Sequence, residues 1–170
     1  MNIEIIELKK SDIERYNVKE FLFDMVKKCY DLDYVPEYHY DIVELEKYYI
    51  DPEKCNFFIA IDTDEDKVVA TSAIRSYDRD YNVKNRTYSR EHTASFHRVF
   101  VHPDYRHCKI GSELVEKLEN FCIEKHYNEI YLHTSEKSYG ALSFWQYNNF
   151  EITYDTHDDA GTIHMEKVLV

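Results

Sequence analysis

The chain has 170 residues, of which 44% are hydrophobic and 32% are charged, and its formal net charge is −12. This length is typical of one domain, so we expect a single domain over residues 1–170. The acidic balance argues against a nucleic-acid partner, and no segment approaches the ~18 unbroken apolar residues that a membrane helix needs.

The N-terminus alternates polar and apolar residues and lacks the apolar block of a signal peptide. The four cysteines, at positions 29, 55, 108 and 122, form no CxxC pair. We therefore expect a cytoplasmic protein with reduced cysteines, and neither a redox motif nor a zinc ribbon is indicated.

Charge is distributed unevenly along the chain. Residues 31–66 hold twelve acids and two bases, whereas residues 67–111 hold four acids and nine bases. Two interpretations are open: an anionic cofactor bound beside a cationic substrate, or two solvated surfaces of opposite charge.

Hydrophobic spacing predicts an α/β fold with helices on both faces of one sheet. After a first strand near residues 3–6 and a helix start at Ser11, the first half contains helices over 18–32 and 37–50 and a hairpin of strands over 56–61 and 68–74. After a polar loop, the second half contains a strand over 93–101, a helix over 112–126, a strand over 129–135, a helix over 139–149, and strands over 150–155 and 162–169.

The stretch VFVHPDYRHCKIGSEL, residues 99–114, leads from a strand through a proline turn into a helix. The first amides of a helix have no partners within it, and the helix dipole adds positive potential there. Gly111 permits a close approach of backbone to a ligand, and Arg106 and Lys109 add positive charge. The stretch is either a cradle for an anionic group or an ordinary connection, and it matches neither a Walker loop nor a GxGxxG fingerprint.

The same stretch resembles motif A of the GCN5-related N-acetyltransferases (GNAT), in which [QR]-x-x-G-x-[GA] opens a helix. Arg106 matches the first position of this pattern and Gly111 the last. Other segments resemble the family's central hairpin, fifth strand, second helix and closing strand: FFIAIDTDEDKVVATSAIR, EIYLHTS, ALSFWQYNNFE and IHMEKVL. The resemblance implies a mixed, mostly antiparallel sheet splayed between strands 4 and 5.

The resemblance also implies that acetyl-CoA is the cofactor. Its pyrophosphate would contact the amides of residues 106–112, and its pantetheine would pair with the backbone of Val99 and Val101. The cofactor-binding residues expected on this basis are Val99, Phe100, Val101, Arg106, His107, Cys108, Lys109, Ile110, Gly111, Ser112, Ser138 and Trp145.

Three positions depart from the family pattern. Lys109 replaces the first loop glycine, so either this residue does not need a positive φ or a small strain is tolerated; the lysine could also contact phosphate directly. Ser138 replaces an asparagine. Trp145 replaces the tyrosine that often protonates the leaving thiolate, and an indole has no acidic proton to give.

The candidate catalytic residues lie outside the motif itself. The usual glutamate position of the base falls on Ser95, while His97, on the same face of the strand, matches a histidine of serotonin N-acetyltransferase and has suitable chemistry at neutral pH. His97 is either that base or a half-buried structural histidine. Tyr147 is a candidate acid although it points about 200° away from Trp145, and Tyr139 and His133 are the other candidates.

No metal site is expected, because the spacing of histidines and cysteines, such as Cys122 and His126, fits no standard zinc pattern. The acidic, tyrosine-containing segment CYDLDYVPEYHYD, residues 29–41, is the expected lip of the acceptor site and favours a cationic amine of a small molecule or peptide. A homodimer remains open, as does the alternative of a degenerate GNAT module that binds coenzyme A without catalysis.

Overall fold

The structure of the chain is a computed structural model that describes residues 1–169. Its strands are β1 (Ile3–Glu7), β2 (Asn56–Asp62), β3 (Lys67–Ser76), β4 (Thr93–Val101), β5 (Glu129–Ser135), β6 (Glu151–Asp155) and β7 (Thr162–Val168). Its α-helices are α1 (Lys10–Arg15), α2 (Val18–Tyr30), α3 (Pro36–Val43), α4 (Ile110–Glu124) and α5 (Ala141–Tyr147). Within the described residues, no helix combines the length and the apolar character that crossing a bilayer requires.

The seven strands form one mixed sheet in the order β1-β2-β3-β4-β5-β7-β6. The pairs β1–β2, β2–β3, β5–β7 and β6–β7 are antiparallel, whereas β4 and β5 are parallel. The β4–β5 ladder consists of three pairs, which join Thr93, Ala94 and Ser95 to Glu129, Ile130 and Tyr131. Since β4 runs on to Val101 and β5 to Ser135, the splay predicted between strands 4 and 5 is confirmed.

The chain folds into two compact units, to both of which β4 and α4 contribute residues. The first unit comprises residues 1–75 and 97–119, and the second comprises residues 76–96 and 120–170. The core of the first unit includes apolar side chains of α2, α3 and β2, among them Leu22, Met25, Ile42, Phe57 and Ile59, all of which are fully buried.

In the second unit, successive side chains of β5 lie on opposite faces of the sheet. Ile130 and Leu132 of β5 are buried on one face, while Tyr131 and His133 lie on the other. Trp145 and Phe150 pack together with ring centroids 5.2 Å apart and add an aromatic layer to this unit.

The helix predicted over residues 37–50 is wrong as a single element. α3 ends at Val43, Glu44 leaves the helical region with φ −115°, and a π-helical turn follows over Glu46–Ile50. The wider turn allows Leu45 and Tyr49 to be buried together with Ile42.

The boundaries of other helices also differ from the predicted ones. α4 begins at Ile110, two residues before the predicted start. α5 is shorter than residues 139–149, because Gly140 and Asn149, at its two ends, have left-handed backbones with φ of 74° and 68°.

Candidate active site

The segment that joins β4 to α4 lies within the first unit and is anchored at its base. The His102 amide donates to the carbonyl of Val69 at 2.9 Å. The buried Tyr105 hydroxyl donates to Asp62 Oδ2 at 2.6 Å. This hydrogen bond lowers the pKa of Asp62 and raises the pKa of Tyr105. The segment is thereby attached to the β2–β3 hairpin.

The tip of this segment is exposed and contains two left-handed residues. His107 has φ 63° and Lys109 has φ 67°, and both side chains are exposed, as are those of Arg106 and Cys108. Gly111, by contrast, is a buried residue within α4 and does not have a positive φ. The strained conformation that a family glycine would adopt freely is therefore adopted by Lys109.

The first amides of α4 have no hydrogen-bond partner within the helix. The Glu113 amide donates to the Lys109 carbonyl at 3.1 Å, so the preceding amides of Ile110, Gly111 and Ser112 have no partner within the helix. A left-handed residue followed by a right-handed one, as at Lys109 and Ile110, is also the backbone pattern of an anion-binding nest. Such a backbone pattern is one at which anionic groups bind.

Arg106 folds back over the end of β4. Its Nε donates to the Val101 carbonyl at 3.2 Å, and its Nη2 lies 3.9 Å from Cys29 Sγ. The Cys108 thiol donates to the Arg106 carbonyl at 3.6 Å. Burial raises the pKa of Cys29, although the positive charge of Arg106 opposes this effect.

The second half of β4 contains the predicted base and the backbone predicted to pair with pantetheine. His97 is half-buried, and its ring centroid lies 6.4 Å from that of Tyr49. Val99 and Val101 are partly exposed, whereas the Phe100 side chain is buried against Tyr30 in the core. Any contact of Phe100 with a cofactor must therefore involve its backbone.

Sequence reasoning missed a buried ionic network beside this strand. Arg98, which has a left-handed φ of 50°, donates from Nη2 to Asp41 Oδ1 at 2.7 Å and from Nε to Asp41 Oδ2 at 3.0 Å. Tyr49 donates to the same carboxylate at 2.6 Å, and Arg75 Nη1 lies 3.8 Å from it. The only sequence signal is that Asp41 precedes Leu45 and Tyr49 at helical spacing on an apolar stripe.

The network determines the charge states of its members. Burial alone would raise the pKa of Asp41, but hydrogen bonds and positive charge from Arg98, with help from Tyr49 and Arg75, lower it below its usual value. Burial and the neighbouring Asp41 carboxylate together raise the pKa of Tyr49. Asp41 is therefore ionised and Tyr49 protonated at neutral pH.

The remaining predicted site residues belong to the second unit. Trp145 is 7% exposed and packs among Phe96, Phe144 and Phe150. Tyr147, by contrast, is 80% exposed. Ser138 is partly exposed, and its amide donates to the Ser135 carbonyl at 3.1 Å.

Comparison with known proteins decides the family. Residues 19–150, more than three quarters of the chain, match the model of the acetyltransferase (GNAT) family. The chain belongs to the GNAT acetyltransferase family. It is thus an acyltransferase, and its cofactor is acetyl-CoA.

Solved GNAT structures share the whole fold. A GNAT acetyltransferase from Staphylococcus aureus is 23% identical, with a TM-score of 0.77 and coverage of 99% of this chain and 100% of that one. An acetyltransferase from Streptococcus agalactiae is 25% identical over 98% of both chains, with a TM-score of 0.74. The PaiA N-acetyltransferase from Thermoplasma acidophilum, solved with coenzyme A, is 22% identical over 99% of both chains, with a TM-score of 0.67. No curated protein matches the sequence.

The second unit of this GNAT chain also contains a cluster of tyrosine and histidine side chains that sequence reasoning did not assemble. The hydroxyl of Tyr131 lies 2.6 Å from His164 Nδ1, and the two rings stack. Tyr154 stacks on His164 with an interplanar angle of 10°, and Tyr81 lies within 5.5 Å of both His133 and His164. Burial lowers the pKa of His164, although Asp158 opposes this effect.

No group of three or more His, Cys, Asp or Glu side chains in residues 1–169 is arranged to hold a metal ion.

We expect His164 to make stability depend on pH. Below the ordinary histidine pKa of about 6.5, His164 binds a proton in the unfolded chain more readily than in the folded protein. Its contribution to the free energy of unfolding is therefore present above that pH and is lost on acidification. His164→Gln should be about 1–3 kcal/mol less stable than the wild type at pH 7.5, because a buried hydrogen bond is lost, and this difference should narrow at pH 5.

Urea unfolding at pH 7.5, 6.5, 5.5 and 5 measures this effect. The matched control is His157→Gln, since the side chain of His157 is 82% exposed. Parallel stability curves for His164→Gln and the wild type would contradict the prediction.

Proposed function

We propose that the protein is a cytoplasmic N-acetyltransferase, which moves the acetyl group of acetyl-CoA to a primary amine. The observation that carries this proposal is the exposed loop before α4, where left-handed His107 and Lys109 precede amides that have no partner within the helix. A chain of the GNAT family that keeps this anion cradle retains the machinery for its cofactor.

The cofactor would be held mainly by backbone. The amides of Ile110, Gly111 and Ser112 suit the pyrophosphate, while Arg106 and Lys109 supply positive charge at the exposed tip. Arg106 now donates to the Val101 carbonyl, and since its side chain is exposed it can turn towards a phosphate. Val99 and Val101 are the partly exposed positions of β4 whose backbone would pair with pantetheine.

Bound acetyl-CoA supplies an activated acetyl thioester. The chain must then remove one proton from the attacking amine while the bond from carbon to nitrogen forms and the bond from carbon to sulfur breaks. The His97 imidazole is the proposed acceptor of that proton, because it lies on β4 itself and is half-buried. Tyr147 is the proposed donor of the proton that the departing thiolate would take up, in place of Trp145.

The acceptor is proposed to be the cationic amine of a small molecule or peptide. The segment over residues 29–41 exposes Tyr34 and Tyr38 by 55% and 63%, and the carboxylates of Asp31 and Asp33 by about nine tenths. Exposed tyrosines among carboxylates attract ammonium groups through charge and cation–π contact. Lys27, which pairs with both aspartates, reduces this attraction. Neither nucleic acid nor a membrane is a proposed partner. A homodimer is the proposed form of any assembly of the chain with itself.

The activity is tested by incubating the protein with acetyl-CoA and a panel of polyamines, amino sugars, aminoacyl peptides and lysine peptides. Free coenzyme A is measured with a thiol reagent, and the acetylated amine by mass spectrometry. We expect release of coenzyme A that depends on the amine. Acetyl-CoA binding by calorimetry without turnover on the whole panel would instead favour the degenerate module.

Lys109→Gly should weaken coenzyme A binding about tenfold, because a charged contact to phosphate is lost. The glycine relieves the positive φ at this position, so the loop itself is not expected to suffer. Calorimetry at two salt concentrations measures the effect, and the salt dependence of binding should also be reduced.

Lys117→Ala is the control, since Lys117 is an exposed lysine of α4 outside the loop that contains Lys109. Unchanged or tighter binding by Lys109→Gly would show that the lysine merely occupies the position of a glycine.

His97→Ala should lower kcat about 100-fold and flatten the rise of kcat with pH, because the proton acceptor is lost. Initial rates between pH 5.5 and 9 at saturating acetyl-CoA measure this profile, and Tyr147→Phe is measured alongside to test the proposed acid. A pH profile of His97→Ala that parallels the wild type would assign His97 a structural role.

A further inference from the structure

We infer that Arg98 and Asp41 are a pair of positioning residues, which hold the bend of β4 so that the backbone of Val99–Val101 is presented to the acetyl thioester. This inference rests on the proposed function. It assigns to a buried ion pair a role in the rate of the reaction rather than in cofactor affinity.

Hydrogen bonds hold both the side chain and the backbone carbonyl of Arg98. Its guanidinium makes two hydrogen bonds to Asp41 and a third, of 2.7 Å, to the Tyr38 carbonyl. Its own carbonyl accepts from Thr71 Oγ1 at 2.8 Å. Both ends of this residue are therefore attached to neighbouring elements of the first unit.

The backbone at Arg98 explains why such attachment is needed. Its φ of 50° lies in the left-handed region, which is unfavourable for a residue with a β-carbon and is kept only when the surroundings enforce it. The bend comes between His97, the proposed base, and Val99, the first residue proposed to pair with the cofactor. If Arg98 relaxed to an extended conformation, the side chains and amides that follow would turn relative to His97.

Asp41 provides an anchor that is itself fixed. Its side chain is 4% exposed, and it also accepts the hydrogen bond from Tyr49 and faces Arg75. Asp41 belongs to α3 and is the last residue of the proposed acceptor lip over residues 29–41. The pair thus connects the acceptor side of the first unit to the strand that carries the reacting groups.

Arg98→Gly is the sharpest test, because glycine accepts the left-handed backbone and removes only the side-chain anchor. Asp41→Asn removes the charge of the anchor while keeping its shape, and Arg98→Lys keeps the charge but not the two-pronged contact. We expect kcat to fall at least tenfold in Arg98→Gly and Asp41→Asn and less in Arg98→Lys, with a change of under threefold in the dissociation constant of coenzyme A. The double variant that combines Arg98→Gly with Asp41→Asn should have a kcat no lower than that of Arg98→Gly alone, since both substitutions break the same connection.

Arg86→Gly is the matched control, because Arg86 forms an ion pair of 2.7 Å with Glu166 in the second unit. It should leave kcat within twofold of the wild type. An unchanged kcat in Arg98→Gly, a loss confined to cofactor affinity, or an equal loss in Arg86→Gly would overturn the inference.

Hydrogen exchange separates this inference from the proposed function. Amides of residues 97–101 should exchange at least tenfold faster in Arg98→Gly and in Asp41→Asn than in the wild type, whether or not any amine is acetylated. Unchanged hydrogen exchange in either variant would overturn the role of the pair as an anchor. If one variant does not yield enough folded protein, the exchange measured in the other decides. Absence of turnover by the wild type would refute the proposed function alone.

Discussion

The candidate site depends on one constraint: three residues with β-carbons, Arg98, His107 and Lys109, adopt left-handed backbones within twelve positions. Each such conformation is unfavourable by about 1–2 kcal/mol, so the fold must hold it from outside. Arg98 is held by Asp41 and Thr71, and the loop that contains the other two is held at its base by Tyr105 on Asp62. The bend in β4 and the amide cradle of α4 both follow from these anchors.

The same anchors account for part of the uneven charge distribution along the sequence. Asp41 and Asp62 belong to the acidic segment over 31–66, and their partners Arg75, Arg98 and Tyr105 belong to the basic segment over 67–111. Part of the imbalance is thus paired inside the first unit. Asp31 and Asp33, in the lip proposed for a cationic acceptor, remain exposed and share Lys27.

Much of the fold could be predicted because strands and helices with one buried face repeat at regular spacing, as in α4 and β5. The loop before α4 was found through its spacing of Arg106 and Gly111, and its left-handed residues proved to be His107 and Lys109. The break between α3 and the π-helical turn was missed, since Ile42, Leu45 and Tyr49 fit both helical periods. The network around Asp41 was missed because its members come from four separate segments, and no local pattern distinguishes a buried arginine from a surface one.

The position of Trp145 has a consequence for how unfolding can be observed. It is the one tryptophan of the chain, and it is buried among phenylalanines of the second unit. Intrinsic tryptophan emission therefore monitors residues 76–96 and 120–170 directly, whereas far-ultraviolet dichroism also follows α1, α2 and α3. Comparing the two signals in one denaturation would reveal whether the helices of the first unit and the aromatic layer of the second unfold cooperatively or in succession.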